Sequence, residues 1–480
     1  MSSNESIVAP SDQDTRKSLI LAGGGMRVAY QTGVIMALQE SGLKFTHIDG
    51  TSGGIFNTAM LASGLTPYEM ADCWRGLKMK SFVSLANTRD YLKPLQMKGY
   101  TDADNIRNRV FPQLKIDLAS INKNEQINAT FNVCNFSDKA VEAISNREVT
   151  EDHLIAGVSL PMVMPAIKIQ DTWYTDAVWI KDANLLEGAR QQSEELWLVW
   201  VIGNCKSYLP GALNQYVHMI EMSANGALLE EYKQIQNAND AIPKNESAHE
   251  QQKPVKLFVI KPEFPVPLDT DLFINKIDSR SLINMGYADA RRCLSSMSQA
   301  GIEMNQEATK MRDPGTRLNF RGTFEGKASW QGTATSISLH TYFSFQQVAD
   351  DYIMDLYSSI HVAAWHREIS LYDHRVRTTK HKQYTLLEAD AKLYREGKVY
   401  DVNIAWKLFS PIDFLIGLEF KQATITISLD DAEIMKGSLY QSMPNRLRGC
   451  YTTNVRTESG GVGGIKKRYS MISKLITHGI

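Results

Sequence analysis

Short apolar runs alternate with stretches of helical spacing along the first 300 residues. Residues 18–22 read as a strand and 27–41 as a helix; 45–49 read as a strand and 55–63 as a helix. Residues 126–132, 166–170, 196–203 and 256–261 read as further strands. The run LWLVWVIG at 196–203 has no polar break, which predicts a strand buried on both faces of a parallel sheet. Strand–helix alternation of this kind predicts an α/β fold, layered α/β/α around a mostly parallel central sheet.

Two polar stretches interrupt the pattern. Residues 236–254 are rich in Asn, Gln, Glu and Lys and predict an exposed insertion. The turn-forming MRDPGT at 311–316 predicts a domain boundary, giving one domain over 17–312 and another over 313–480, after a polar, disordered 1–16. Beyond the boundary, 317–330, 335–345, 360–371, 382–394, 398–407 and 422–429 alternate over short β-branched and aromatic runs. They predict a β-rich C-terminal domain, a sandwich or barrel-like sheet with a few helices. From 459 a flexible glycine-rich stretch leads into Lys466-Lys467-Arg468 and an amphipathic helix over 469–477. That basic tail reads either as a helix packed on its own domain or as a contact with anionic lipid.

Charge and cysteine usage narrow the class. The formal net charge of −1 gives no global attraction to nucleic acid. Cys73, Cys134, Cys205, Cys293 and Cys450 are odd in number and never form C-x-x-C, as expected of a reduced, cytoplasmic protein. Residues 1–17 lack the apolar core of a signal peptide, and the longest apolar run is too short to span a bilayer. Membrane contact is therefore expected to be peripheral.

The chemistry concentrates at two glycine-rich turns. Gly50-Thr51-Ser52-Gly53-Gly54 is a G-x-S-x-G segment between a predicted strand and a predicted helix, a setting that bares the serine hydroxyl. Upstream, Gly23-Gly24-Gly25 also follows a strand and opens a helix, leaving backbone N–H groups free to hold a developing oxyanion. Adjacent parallel strands would bring the two turns together. A base is then needed. His47, His153, His218 and His249 have no motif around them, and His47 lies on the strand entering the turn. A carboxylate is the better candidate, and Asp176, in WYTDAV, is the favoured one, with Asp171 and Asp182 as competitors.

These motifs resemble the patatin-like phospholipase family of the bacterial type, here with an additional C-terminal β-rich domain. The resemblance rests on LAGGGMRVAYQTGVIMAL, on the G-x-S-x-G turn, on GVSLPMVMPAIKIQDTWYTDAV and on SLINMGYADARRCL, and covers roughly the first 300 residues. It implies Ser52 as nucleophile and Asp176 as its partner in a Ser–Asp dyad, with Gly23, Gly24 and Gly25 as the oxyanion loop and Arg27 as its basic residue. The SLINMGYADARRCL segment would be the helix closing the family's core. A serine acyl hydrolase acting on phospholipids or other acyl lipids through an acyl-enzyme follows, without a cofactor or metal. Two positions depart from the family pattern. Val28 stands where glycine is common, and a left-handed φ there would strain a valine. Ala177-Val178 replaces the glycine-containing pair after the aspartate.

Other readings stay open. The same dyad could transfer the acyl group to an alcohol or lipid, or the fold could serve a non-catalytic lipid-binding or regulatory protein. The glycine run lacks the G-x-x-x-x-G-K-[ST] of a phosphate loop. His361, His366, His374 and His381 match no metal-ligand spacing. Met162 and Met164 could line an acyl pocket, but core gap-filling is the favoured reading for both.

Overall fold

The structure, a computed structural model, describes residues 15–82, 84, 97–242, 253–267, 271, 274, 276–348, 351–411, 421–457 and 462–478. His249 lies outside these residues. The chain divides into two compact units. One draws on Met1–Cys205, Gly211–Phe273 and Cys293–Arg312, the other on Lys206–Pro210, Ile274–Arg292 and Asp313–Ile480.

The first unit is built on a mixed sheet. Strands β1 (Lys17–Leu21), β2 (His47–Thr51), β3 (Asn128–Asn135), β7 (Glu195–Val199) and β8 (Lys256–Ile260) run parallel in the order β3-β2-β1-β7-β8. At one side β4 (Ala140–Ser145), β5 (Ile167–Ile169) and β6 (Thr172–Asp176) add antiparallel pairings, β4 and β6 to β3 and β5 to β6. β1 and β7 are buried along their whole length, as expected for central strands. Ile20, Leu198, Trp200 and Val259 pack with Leu228 and Tyr232 of the helix Ala212–Asp240. That helix runs through the start of the stretch expected to be a polar insertion, because Ala224, Leu228, Tyr232 and Ile235 recur at helical spacing and are buried. β1 and β2 are neighbours in register, Leu21 opposite Gly50, so the turns after them emerge side by side.

The second unit is a closed antiparallel barrel. Its strands are β9 (Thr316–Trp330), β10 (Thr333–Val348), β11 (Asp351–Val362), β12 (Arg367–Lys380), β13 (Thr385–Arg395), β14 (Lys398–Leu408), β15 (Gln422–Leu429) and β16 (Ala432–Tyr440). Each pairs with the next, and β16 returns to β9 with Gly437 opposite Ala328. Closure leaves no bare edge along that ring. A short strand, β17 (Asn454–Arg456), pairs with the other end of β9. Alternate residues such as Leu339, Phe343, Leu387, Ile404 and Ile425 fill the interior. Met471, Ile472, Leu475 and Ile476 of the helix Ile465–His478 join that core.

One expectation is corrected in this unit. Residues 360–371 are not one strand: Ala363–Trp365 form a 3-10 turn and His366 takes φ 55°, reversing the chain between β11 and β12. The segment SLINMGYADARRCL lies in the helix Ser279–Ser296, whose residues to Arg292 belong to the barrel unit. Asn284 of that helix donates to Ser359 at 3.1 Å and accepts from Ser370 at 2.7 Å, and Arg280 Nε pairs with Glu368 at 2.8 Å. Its polar side chains thus bond to β11 and β12. No helix among the described residues is long and apolar enough to cross a membrane.

Candidate active site

Ser52 follows β2 with φ of 51°, a left-handed conformation that few non-glycine residues adopt. The turn is held from within: the Ile55 N–H donates to the Ser52 carbonyl at 3.0 Å and the Phe56 N–H to that of Gly53 at 3.1 Å. It is held from outside by close packing. A Cβ at Gly53 would lie 2.3 Å from the Gly25 carbonyl oxygen, and one at Gly54 only 2.1 Å from that of Leu21. A Cβ at Gly50 would meet Thr58 Oγ1 at 2.4 Å. The absence of side chains lets the serine turn press directly on the turn that follows β1.

In that second turn Gly24 and Gly25 have φ of 150° and 60°. The Arg27 Nε–H donates to the Gly24 carbonyl at 2.9 Å, so its buried guanidinium positions the loop. The Gly23 N–H donates to the Asp182 carbonyl at 3.1 Å, whereas those of Gly24 and Gly25 have no protein acceptor among the described residues. Val28 sits in relaxed helical geometry, φ −63°, so the strain expected of a valine there does not arise. Ala177 and Val178 likewise form a buried 3-10 turn without positive φ.

Asp176 ends β6, which pairs with β3, the strand beside β2. Its carboxylate reaches Ser52: the hydroxyl donates to Oδ2 at 2.7 Å, and the Val178 N–H donates to Oδ1 at 2.9 Å. Burial raises the Asp176 carboxyl to about 7, against the two hydrogen bonds that favour its charged form. A carboxyl poised there can exchange protons near neutral pH.

The competing aspartates separate by position. Asp171 is exposed at the tip between β5 and β6 and pairs loosely with Lys168 at 3.6 Å. Asp182 is fully buried across Gly23 from the serine. A Cβ on Gly23 would fall 2.1 Å from Asp182 Oδ1 and 2.7 Å from Ser52 Cβ. Neither Asp182 oxygen has a hydrogen-bond partner among the described residues. Burial first, then the neighbouring Asp176, pushes its carboxyl well above the usual carboxylate range; Arg27 and the Gly23 amide oppose this less strongly.

The histidines have other roles. His47 bridges Ser18 at 2.8 Å and Thr130 at 2.9 Å, and burial lowers its imidazole to about 4. His153 sits in a helix N-terminal box with Thr150, and His218 faces Glu221 at 2.8 Å. In the barrel unit, His374 bonds to Ser358 at 2.7 Å, His381 stacks on Tyr384, and no group of three metal-ligating side chains occurs among the described residues.

A buried polar clamp behind the loops has no motif of its own. Asn57 Nδ2 donates to the Val28 carbonyl at 2.8 Å and to Gln31 at 2.9 Å, and its Oδ1 accepts from the Trp74 indole at 2.8 Å. Asn132 Nδ2 donates to Asp49, to the Thr51 hydroxyl and to the Gly50 carbonyl. The one signal for Asn57 was a polar pair inside an otherwise apolar helix, IFNTAMLA.

The two turns and Asp176 face a cavity of about 390 Å³, walled by Phe56, Ile106, Leu160, Val163, Met164 and Ile220. Met164 is therefore part of this wall, and Met162 is 61% exposed, so neither fills a core gap. An activated hydroxyl beside free amides, at the end of an apolar cavity, suits attack on the carbonyl of an acyl chain.

Residues 19–189 match the family model of patatin-like phospholipases. Among curated proteins none matches. Several solved structures are similar, among them VipD from Legionella pneumophila, at 12% identity and a TM-score of 0.32 over 60% of this chain and 68% of that one. That likeness is too distant to carry an argument about function.

Proposed function

Because residues 19–189 form a patatin-like phospholipase domain, we propose that the chain is a serine acyl hydrolase that releases fatty acid from phospholipids or other acyl lipids. The observation that carries this reading is the 2.7 Å hydrogen bond from Ser52 to Asp176 at the apolar cavity. Ser52 Oγ attacks the acyl carbonyl carbon as its proton passes to Asp176 Oδ2. The amides of Gly24 and Gly25 receive the oxyanion, with Arg27 holding their loop in place. Asp176 returns the proton to the departing alcohol oxygen, leaving an acyl-enzyme. Water then gives up a proton to Asp176 and attacks the acyl carbon, and Asp176 returns that proton to Ser52 Oγ as the fatty acid leaves.

Fluorophosphonate labelling, with the adduct mapped by mass spectrometry, tests the nucleophile. Labelling at Ser52 that vanishes in Ser52→Ala, together with fatty-acid release from phospholipid vesicles, is the expected result. Folded protein that takes no label and releases no fatty acid would favour a lipid-binding role for the fold instead.

A further inference from the structure

The helix Met443–Thr452 packs one face on β9 and, among the described residues, leaves an apolar row on the opposite face exposed. Gly449 lies against β9, where a Cβ would be 3.1 Å from the Arg321 carbonyl. On the other side Met443, Leu447 and Tyr451 follow at every fourth residue and are 56%, 63% and 54% exposed. At the helical step of about 100° per residue, the exposed Arg448 flanks this stripe on one side. The row continues past the helix. The Tyr451 hydroxyl donates to the carbonyl of the half-exposed Ile274 at 2.9 Å, and the Lys276 ammonium sits 4.0 Å from the Tyr451 ring centre.

The next helix, Ile465–His478, starts beside β17, where the Gly463 N–H donates to the Val455 carbonyl at 2.8 Å. Its inner face enters the barrel core, while Ile465 and Tyr469 are exposed at its start beside Lys466 and Lys467. From Lys436 to Ile480 the sequence carries eight lysines and arginines and a single acid, Glu458, in a chain of net charge −1.

We propose that this face of the barrel unit docks on an anionic phospholipid surface. The exposed apolar side chains would enter the headgroup–acyl boundary and the flanking cations would meet lipid phosphates. Tyrosine suits that boundary because its ring is apolar and its tip polar. The charge pattern argues against a second copy of this chain as occupant, since it would bring the same positive charge to the contact.

The test uses full-length protein carrying Ser52→Ala, so that binding is read without hydrolysis. Co-sedimentation with vesicles of phosphatidylglycerol and phosphatidylcholine in equal parts should retain the protein, and phosphatidylcholine alone should not. Leu447→Glu should weaken binding at least about 10-fold. Arg448→Gln, Lys466→Gln and Lys467→Gln together should weaken it by about five-fold per cation. Leu447→Ser stands in if the glutamate variant unfolds. No sedimentation with anionic vesicles, equal sedimentation with neutral ones, or unchanged binding by both variants would overturn the proposal. So would a dimer in vesicle-free solution that Leu447→Glu dissociates. Hydrolysis of a soluble short-chain ester by the Ser52 form reports the active-site reading separately, so failure of either is seen on its own.

Discussion

Ser52 and Asp176 lie 124 residues apart and share a hydrogen bond of 2.7 Å. The sheet order makes that contact: β3 stands between β2, which ends at the serine turn, and β6, which ends at the aspartate. Burial brings that carboxyl to about 7, against the two hydrogen bonds that favour its charged form.

Replacing either partner should abolish turnover while preserving the fold. Ser52→Ala and Asp176→Asn should each lower kcat roughly 10⁴-fold or more, with an unchanged circular dichroism spectrum. Assays with a soluble ester measure this. Residual activity within tenfold of wild type for Asp176→Asn would assign the base elsewhere.

The pH dependence has a definite sign. Asp176 must be ionised to accept a proton, so kcat/KM should rise with pH and level off above about 7. Stability should run the other way. A folded carboxyl raised above its unfolded value keeps its proton longer, so this group's contribution falls as pH climbs from about 4 to about 7. Asp176→Asn should flatten that part of the melting-temperature profile.

Asp182 makes a related prediction without touching the serine. Its buried carboxyl has no hydrogen-bond partner among the described residues and stays protonated well above the usual range. Asp182→Asn should therefore gain stability relative to wild type progressively as pH rises above about 4. Thermal unfolding of both proteins between pH 4 and 8 checks it; a constant difference across that range would mean that Asp182 is ionised throughout.

The contact between the two turns can be broken with one methyl group. Gly53→Ala would place a carbon 2.3 Å from the Gly25 carbonyl oxygen. The turns must separate, at a cost of about 1–3 kcal/mol. Loss of oxyanion alignment should lower kcat by about 10²–10³-fold. Chemical denaturation and ester assays on one preparation measure both effects.

Much of this site was legible before the fold. Gly23–Gly25 and Ser52 are a local signal, because turns that need missing side chains leave glycine in the sequence, whereas Asp176, whose turn carries Ala177-Val178 and no glycine, stood out from Asp171 and Asp182 chiefly through the family resemblance. Asn132 was not legible and Asn57 left only a polar pair in an apolar helix, since the role of a buried amide is set by the atoms that surround it. Val28 invited the wrong concern: its φ is set by the helix that begins there. In the second unit, β15 at Gln422–Leu429 has the bounds its alternation predicts, with Ala423, Ile425 and Ile427 buried. The turn at Ala363–Trp365 hid inside apolar residues that resemble a strand. Closure of the barrel could not be read, because the pairing of β16 with β9 joins segments a hundred residues apart and depends on the accumulated twist of the strands between them.

That pairing also governs the order in which the molecule can be made. A chain emerging from the ribosome exposes β9 long before β16, β17 and the apolar face of Ile465–His478 exist. Until then the oldest strand of the ring offers unpaired backbone along one side, and the interior lies open at the end that the last helix covers. A chain ending before Ala432 would not give a smaller barrel. It would give an open sheet with a sticky edge, competent to add strands from its neighbours.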